Sequence, residues 1–225
     1  MINWRGQGFT LIELLVVVAI IAILVVIAIP NLLEAQTRSK VSRGQADLRT
    51  IDMGLKQYFL DYNAFIPSNN YSLALWVPGL PRNQKPTLEL LTTPIPYIST
   101  IEFKDPFPSV YRMPYDGVKY ALTGEQQRVA QLYKYALFNE TGVAQFDDPK
   151  LGTWYLLESS GPDCTYHNMS GILYTWNMEQ LRILIYDPTN GTVSDGSIWR
   201  LGGQPNELGK PLWDMVWASG KSVGN

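Results

Sequence analysis

Phe9 to Ile29 is an unbroken apolar run of 21 residues with one ionisable side chain, Glu13, and it is followed at once by Pro30. Wound as α-helix at about 1.5 Å per residue, the run is roughly 31 Å long, close to the thickness of a bilayer's hydrocarbon core. A secretory signal peptide has a shorter apolar region and ends in a small-x-small cleavage site, and no Ala-x-Ala occurs within this run or just after it. The segment therefore reads as a retained membrane-spanning helix. Glu13 is its most informative residue. A carboxylate inside a spanning helix costs roughly 2.5–3.5 kcal/mol on insertion scales, so it marks a functional position and calls for a partner. Flanking charge alone does not settle orientation. Arg5 precedes the span and Arg38, Lys40 and Arg43 follow it, which by the positive-inside rule would place the C-terminal side in the cytoplasm.

Beyond this run the composition is ordinary. The 225 residues suggest one domain; 46% are hydrophobic and 17% charged, enough apolar material for a core and too little charge for disorder. A net charge of −2 and a pI near 5.4 leave no basic field for nucleic acid, and none is expected as a partner. One cysteine, Cys164, and one histidine, His167, exclude a disulfide scaffold, a zinc finger and a histidine-rich metal centre.

Arg5-Gly6-Gln7-Gly8 followed by Phe9-Thr10-Leu11-Ile12-Glu13 resembles the class III signal of type IV prepilins and pseudopilins. The resemblance implies that a dedicated prepilin peptidase cuts between Gly8 and Phe9 and methylates the new N-terminal Phe9. It implies that Glu13 pairs with the Phe9 amine of a neighbouring subunit, so that one buried carboxylate sets the register of assembly. It also implies orientation: a single-pass protein of the bacterial inner membrane, N-terminus cytoplasmic, the remainder periplasmic and later in a periplasmic or extracellular filament. The chain then divides into a leader (1–8), a transmembrane and filament-core helix (9–30), an amphipathic helix (31–62) and a periplasmic globular domain (63–225). The plainer alternative is a signal anchor that carries a glutamate near its cytoplasmic end.

After Pro30, Val41, Leu48, Ile51, Leu55, Phe59 and Tyr62 form one stripe of an amphipathic helix. The stripe is thin before Leu48 and contains Gly44, so a kink or melted stretch is expected there. Asn63 to Pro67 should stop the helix, and residues 48–62 should pack on a sheet. Nine prolines between Pro67 and Pro114 exclude long regular elements, with a short helix expected at Thr87–Thr92. Lys104-Asp105-Pro106-Phe107 resembles the stretch that precedes the first strands of major pseudopilins; as bare sequence it is a surface turn. Strands are expected at Lys119–Thr123, Gln131–Phe138 (which could as well be helical), Thr153–Glu158, Leu181–Tyr186 and Ser197–Leu201. Met169–Gln180 reads as irregular or briefly helical, and Trp213 and Trp217 as the stripe of a final short helix. One helix followed by strands gives an α+β class, a long N-terminal helix packed on a small antiparallel sheet, pilin-like by the resemblance.

One constellation could hold an ion. Ser159-Ser160-Gly161-Pro162-Asp163 ends one strand, and Tyr186 to Ser197 follows another with Asp187, Asn190, Thr192 and Asp195. Clustered Asp, Asn, Ser and Thr oxygens with glycines suit a hard cation that takes six to eight oxygens. The pairing resembles the calcium loop of type II secretion major pseudopilins, with residues 164–180 inserted and Ser197 where a further acidic ligand might stand. The resemblance implies calcium held by Asp163, Asp187 and Asp195, with Asn190 and Thr192 behind them. Asp-Pro, Asn-Gly and Asp-Gly are also ordinary turn formers that need no metal. Cys164 and His167 read as a turn and a surface imidazole, and no glycine-rich phosphate loop occurs in a strand–helix unit, so no enzyme is expected.

The expected function is a structural subunit of a type II secretion pseudopilus. Its partners would be the prepilin peptidase, copies of itself in a helical polymer, minor pseudopilins and the inner-membrane assembly platform. The alternatives are a type IV pilin for adhesion, motility or DNA uptake and, more remotely, a signal-anchored periplasmic enzyme.

Overall fold

The computed structural model describes residues 9–66, 87–92, 94–99, 104–113, 120–121, 133–139, 152–167, 185–187, 194 and 196–204. One helix, α1 (Leu11–Tyr62), accounts for 52 of them, about 78 Å of continuous rod. Thr10 caps its N-terminus in a capping box with Glu13. Asn63 ends it in the left-handed conformation at φ 48°, its N–H donating to Phe59 O at 2.8 Å. The stop expected after Tyr62 is therefore present. The kink or melted stretch expected between Pro30 and Leu48 is not: the helix runs unbroken through Pro30 and Gly44. Proline's fixed φ is compatible with helix, so the local loss is one hydrogen bond to the preceding turn. Gly44 is buried where the helix meets Pro106, Ile198 and Ser159.

After a 3₁₀ turn at Thr87–Leu91, where a short helix was expected, come β1 (Tyr111–Met113), β2 (Tyr120–Ala121), β3 (Lys134–Asn139), β4 (Gly152–Ser159), β5 (Thr165–His167) and β6 (Ile198–Gly203). The larger sheet, ordered β3-β4-β6, is antiparallel throughout, with Leu137 opposite Tyr155 and Leu157 opposite Arg200. The architecture is α+β, a long apolar N-terminal helix with a small three-stranded antiparallel sheet, consistent with the pilin-like fold.

The strand expected at Gln131–Phe138 is present from Lys134 to Asn139, in place of the helical alternative, with alternate side chains buried on opposite faces; residues 131 and 132 lie outside the described residues. Other expectations need correcting. β1 and β5 escaped the sequence reading, being three residues each. They pair in parallel inside a second sheet, ordered β2-β1-β5, so not every strand pair is antiparallel. His167 lies in β5, in register with Met113. In the expected strand Leu181–Tyr186 only a bridge from Ile185 to Ser197 is seen, residues 181–184 lying outside the described residues. The expected short helix around Trp213 and Trp217 and the segment Met169–Gln180 lie outside them too.

The core forms between α1 and one sheet face. Val41, Leu48, Ile51 and Leu55 of the helix stripe pack with Phe65, Ile66, Leu91, Tyr135, Leu137, Tyr155, Leu157 and Ile198, with Phe59 at the edge. Tyr62, expected to close the stripe, is 46% exposed. Phe65 ties helix to sheet, stacked on Phe59 at 4.5 Å and edge-on to Tyr155 at 5.0 Å. The alternate residues Ala136, Phe138, Trp154, Leu156, Trp199 and Leu201 are buried as well, so both faces of the sheet are covered.

Candidate functional site

Every residue from Phe9 to Leu33 is exposed, although the stretch is almost wholly apolar. The helix is long and apolar enough to cross a membrane. Glu13 sits in its first turn. Its Oε2 accepts from Thr10 N–H at 2.9 Å and from Thr10 Oγ at 2.7 Å, while Glu13 N–H donates to Thr10 Oγ at 3.3 Å. The carboxylate is thus already partnered inside its own chain. The sequence reading singled out Glu13 without Thr10, yet the Thr-x-x-Glu spacing is a recognised capping signal and could have found it. Gly8 lies outside the described residues, and Phe9 stands just ahead of the helix, 73% exposed.

At the domain's base the structure joins the two parts of the candidate cation loop. Gly161, at φ 73°, lies so close to Gly196 that a Cβ on it would collide with the Gly196 carbonyl oxygen. Gly196 is pressed in turn against the backbone of Ile185 and Tyr186. Tyr186 N–H donates to Ser197 O at 2.9 Å, and Asp187 N–H donates to Ser194 Oγ at 2.7 Å. Asp163 Oδ1 accepts from Thr165 N–H at 3.2 Å, a turn-forming bond that needs no metal. Asp163 and Asp187 are both half-buried on the two sides of this junction; Asn190, Thr192 and Asp195 lie outside the described residues. Among the described residues no three Asp, Glu, His or Cys side chains converge as a metal centre. Two oxygen-bearing carboxylates beside a closed glycine junction are the right chemistry for a hard cation, but too few ligands on their own.

Beside the junction lies a buried polar network that the sequence did not announce. Asp105, expected in a surface turn, is buried; Oδ1 accepts from Phe107 N–H (2.9 Å) and Ser159 Oγ (2.7 Å), and Oδ2 from Ser160 N–H (2.9 Å). Lys134 Nζ donates to Ser109 Oγ at 3.1 Å and to Ser160 Oγ at 2.5 Å, and the two serine hydroxyls bond each other. Glu158 Oε1 accepts from Ser197 Oγ at 2.8 Å. Burial pushes the Glu158 carboxyl up to about 7 against the opposing pull of Lys134 and Ser197, and burial also raises Asp105. The network links the segment 105–109, β3, the end of β4 and the start of β6.

A second polar anchor fixes the helix. Asp52 is buried on α1, accepting from Tyr155 OH (2.6 Å), Arg200 Nη2 (2.7 Å) and Lys56 Nζ (3.0 Å). Tyr133 OH donates to Asp47 at 2.8 Å. These bonds hold the helix at one height on the sheet, where apolar packing alone would allow it to slide.

Comparison with known proteins accords with this architecture. Residues 5–29 match the family model described as the prokaryotic N-terminal methylation motif. The chain is 46% identical over 63 residues to the type IV major pilin protein PilA of Myxococcus xanthus, 28% of this chain and 29% of that protein. It is 39% identical over 79 residues to the type IV wide pilus major component PilA4 of Thermus thermophilus, 35% of this chain and 60% of that protein. It is 35% identical over 82 residues to the type II secretion system core protein G of Pseudomonas aeruginosa, 36% of this chain and 57% of that protein. The chain thus spans less than two thirds of the length of these curated relatives. No solved structure matches. The N-terminal segment is a prepilin-type methylation motif, and the homologues of this chain are type IV pilins and type II secretion core protein G.

Proposed function

We propose that this chain is a structural filament subunit, and specifically a subunit of the pseudopilus of a type II secretion system. One observation carries the reading: an apolar rod from Phe9 to Leu33, exposed along its whole length and bearing the methylation motif, continues without a break into the helix of a folded domain. Such a surface is stable only in lipid or against other apolar surface. It would rest in the inner membrane, N-terminus cytoplasmic, and then pack against the same helix of other copies in a filament. Prepilin peptidase would cleave after Gly8 and methylate Phe9. In the assembled state Glu13 would exchange its Thr10 partner for the amine of a neighbour's Phe9, replacing neutral donors with a cationic one. Minor pseudopilins and an inner-membrane platform complete the expected partners.

Calcium belongs to the same reading. Asp163 and Asp187 would hold it with Asp195, Asn190 and Thr192, the cation tying the Gly161 turn to the loop before β6. The chain's single cysteine leaves no disulfide for that task.

The test is the mass of the N-terminal peptide from the native membrane or filament fraction. A peptide beginning at methylated Phe9 is expected. One beginning at Met1, with the processing peptidase present and active, would reduce the motif to a signal anchor. The 46% identity to a type IV major pilin favours a second reading, a type IV pilin for adhesion, motility or DNA uptake. Deleting the gene separates the two: loss of secreted proteins supports the pseudopilus, loss of surface filaments with secretion intact supports the pilus.

A further inference from the structure

We infer that Glu158 is a further ligand of the cation proposed for the Gly161–Gly196 junction, acting beside Asp163 and the oxygens of Ser197. The inference rests on the calcium reading above and deepens it, extending the site from the loops onto strand β4. The placement follows from a chain of contacts. Glu158 Oε1 accepts from Ser197 Oγ at 2.8 Å, which sets the carboxylate against the residue that follows Gly196. A Cβ on Gly161 would stand 3.3 Å from Ser197 Cα, so the turn after β4 and the start of β6 meet here. Asp163 lies just beyond Gly161, in a turn where Cys164 N–H donates to Gly161 O at 3.0 Å. Its negative charge reaches Glu158 and opposes ionisation there. From the other side Tyr186 N–H donates to Ser197 O at 2.9 Å and brings in Asp187.

One oxygen of Glu158 is left over. The residue is 0% exposed, and its Oε2 is buried with no hydrogen-bond partner. A buried carboxylate oxygen without a donor is costly unless a positive group meets it. Lys134, opposite Glu158 across β3 and β4, donates to Ser109 and Ser160. Asp105, the other buried carboxylate of the network, has donors on both of its oxygens. Glu158 is therefore set apart from its neighbours by an oxygen that the fold buries and leaves open to a cation. Hard divalent ions take carboxylate, hydroxyl and main-chain carbonyl oxygens together, and affinity depends on the number of charged ligands. Asp163 and Asp187 fall short on that count. A carboxylate from β4 raises it, and the loop residues Asn190, Thr192 and Asp195 supply the rest.

The experiment uses the full chain in detergent, stripped with EDTA and titrated calorimetrically with calcium chloride, as wild type, Glu158→Gln, Glu158→Leu and Asp163→Asn. Glutamine keeps the side chain's volume and an acceptor for Ser197 Oγ, so a merely structural role leaves calcium affinity where it was. The expected result is that Glu158→Gln and Glu158→Leu each weaken calcium at least about tenfold, as Asp163→Asn does. Europium(III) bound in place of calcium gives a second readout. Its luminescence lifetimes in light and heavy water count coordinated waters, and Glu158→Leu should add about one. Unchanged affinity in Glu158→Gln and Glu158→Leu, with Asp163→Asn weakened, overturns the proposal and leaves the calcium reading standing. Weakened affinity with an unchanged water count in Glu158→Leu also overturns it, because the carboxylate would then be acting at a distance. A wild-type chain that binds no calcium overturns the calcium reading and this one together.

Discussion

Glu158 is fully buried, and Ser197 and Lys134 offset the cost of its charge only in part. Its carboxyl titrates near 7 in the folded protein against about 4.5 for an ordinary glutamate. Between those values the folded state holds a proton that the unfolded state has released. Stability therefore falls as pH rises from about 4.5 to about 7 and is level above, a loss on the order of 3 kcal/mol from this group. Asp105, raised by burial as well, contributes in the same direction. Denaturant titrations of the detergent-solubilised chain between pH 4.5 and 8 should show that slope, and Glu158→Gln should flatten it; an unchanged slope would remove Glu158 as its source. Asp52→Ala leaves Arg200, only 14% exposed, without its carboxylate and should cost about 3–5 kcal/mol, while Glu34→Ala, which breaks only an exposed pair with Arg38, should cost under about 1 kcal/mol. The same denaturant midpoints check both. Glu13 is legible in the sequence because a lone charge in an apolar run is anomalous wherever the chain folds. Asp52, Asp105, Lys134 and Glu158 look like ordinary surface residues until strands far apart in sequence are brought together.

Among the elements, α1 was visible in sequence over its whole length except where its stability comes from elsewhere. Between Pro30 and Leu48 the apolar stripe is weak because the helix there depends on Val41, on close packing at Gly44 and on the covering segment 105–107. Periodicity counts apolar side chains and does not register a glycine contact. β1 and β5 were missed for a related reason: three residues carry no usable alternation, and parallel pairing between segments so far apart in sequence has no local signature. Truncating the helix face should show what holds it. Leu55→Ala, at a fully buried position, should cost about 2–5 kcal/mol in denaturant unfolding, several times the cost of Met53→Ala on the exposed side. At the helix end, Asn63 at φ 48° accepts glycine with little change, whereas Asn63→Val should cost about 1 kcal/mol or more.

For the whole molecule, the fold class and the N-terminal methylation motif were legible, while the choice between pilin and pseudopilin was not. The methylation motif at residues 5–29 does not separate the two, because the curated relatives include a type IV major pilin and a type II secretion core protein G. Calcium retention is the accessible measurement. Chelation by EDTA should lower the melting temperature by several degrees, with calcium but not magnesium restoring it, the shift expected when an ion present at about a hundred times its Kd contributes about 2.7 kcal/mol. A melt indifferent to EDTA would leave Asp163 and Asp187 as turn formers.

The contact between Gly161 and Gly196 is made by main chain against main chain. A fastening of that kind specifies nothing about the side chains of the sequence it encloses. It demands only that two glycines persist at its ends. Lengthening the enclosed stretch is inexpensive in closure entropy, about 0.6 kcal/mol for each doubling. The junction itself therefore sets little limit on how many residues lie between its two glycines, and the same closure serves a short or a long intervening sequence.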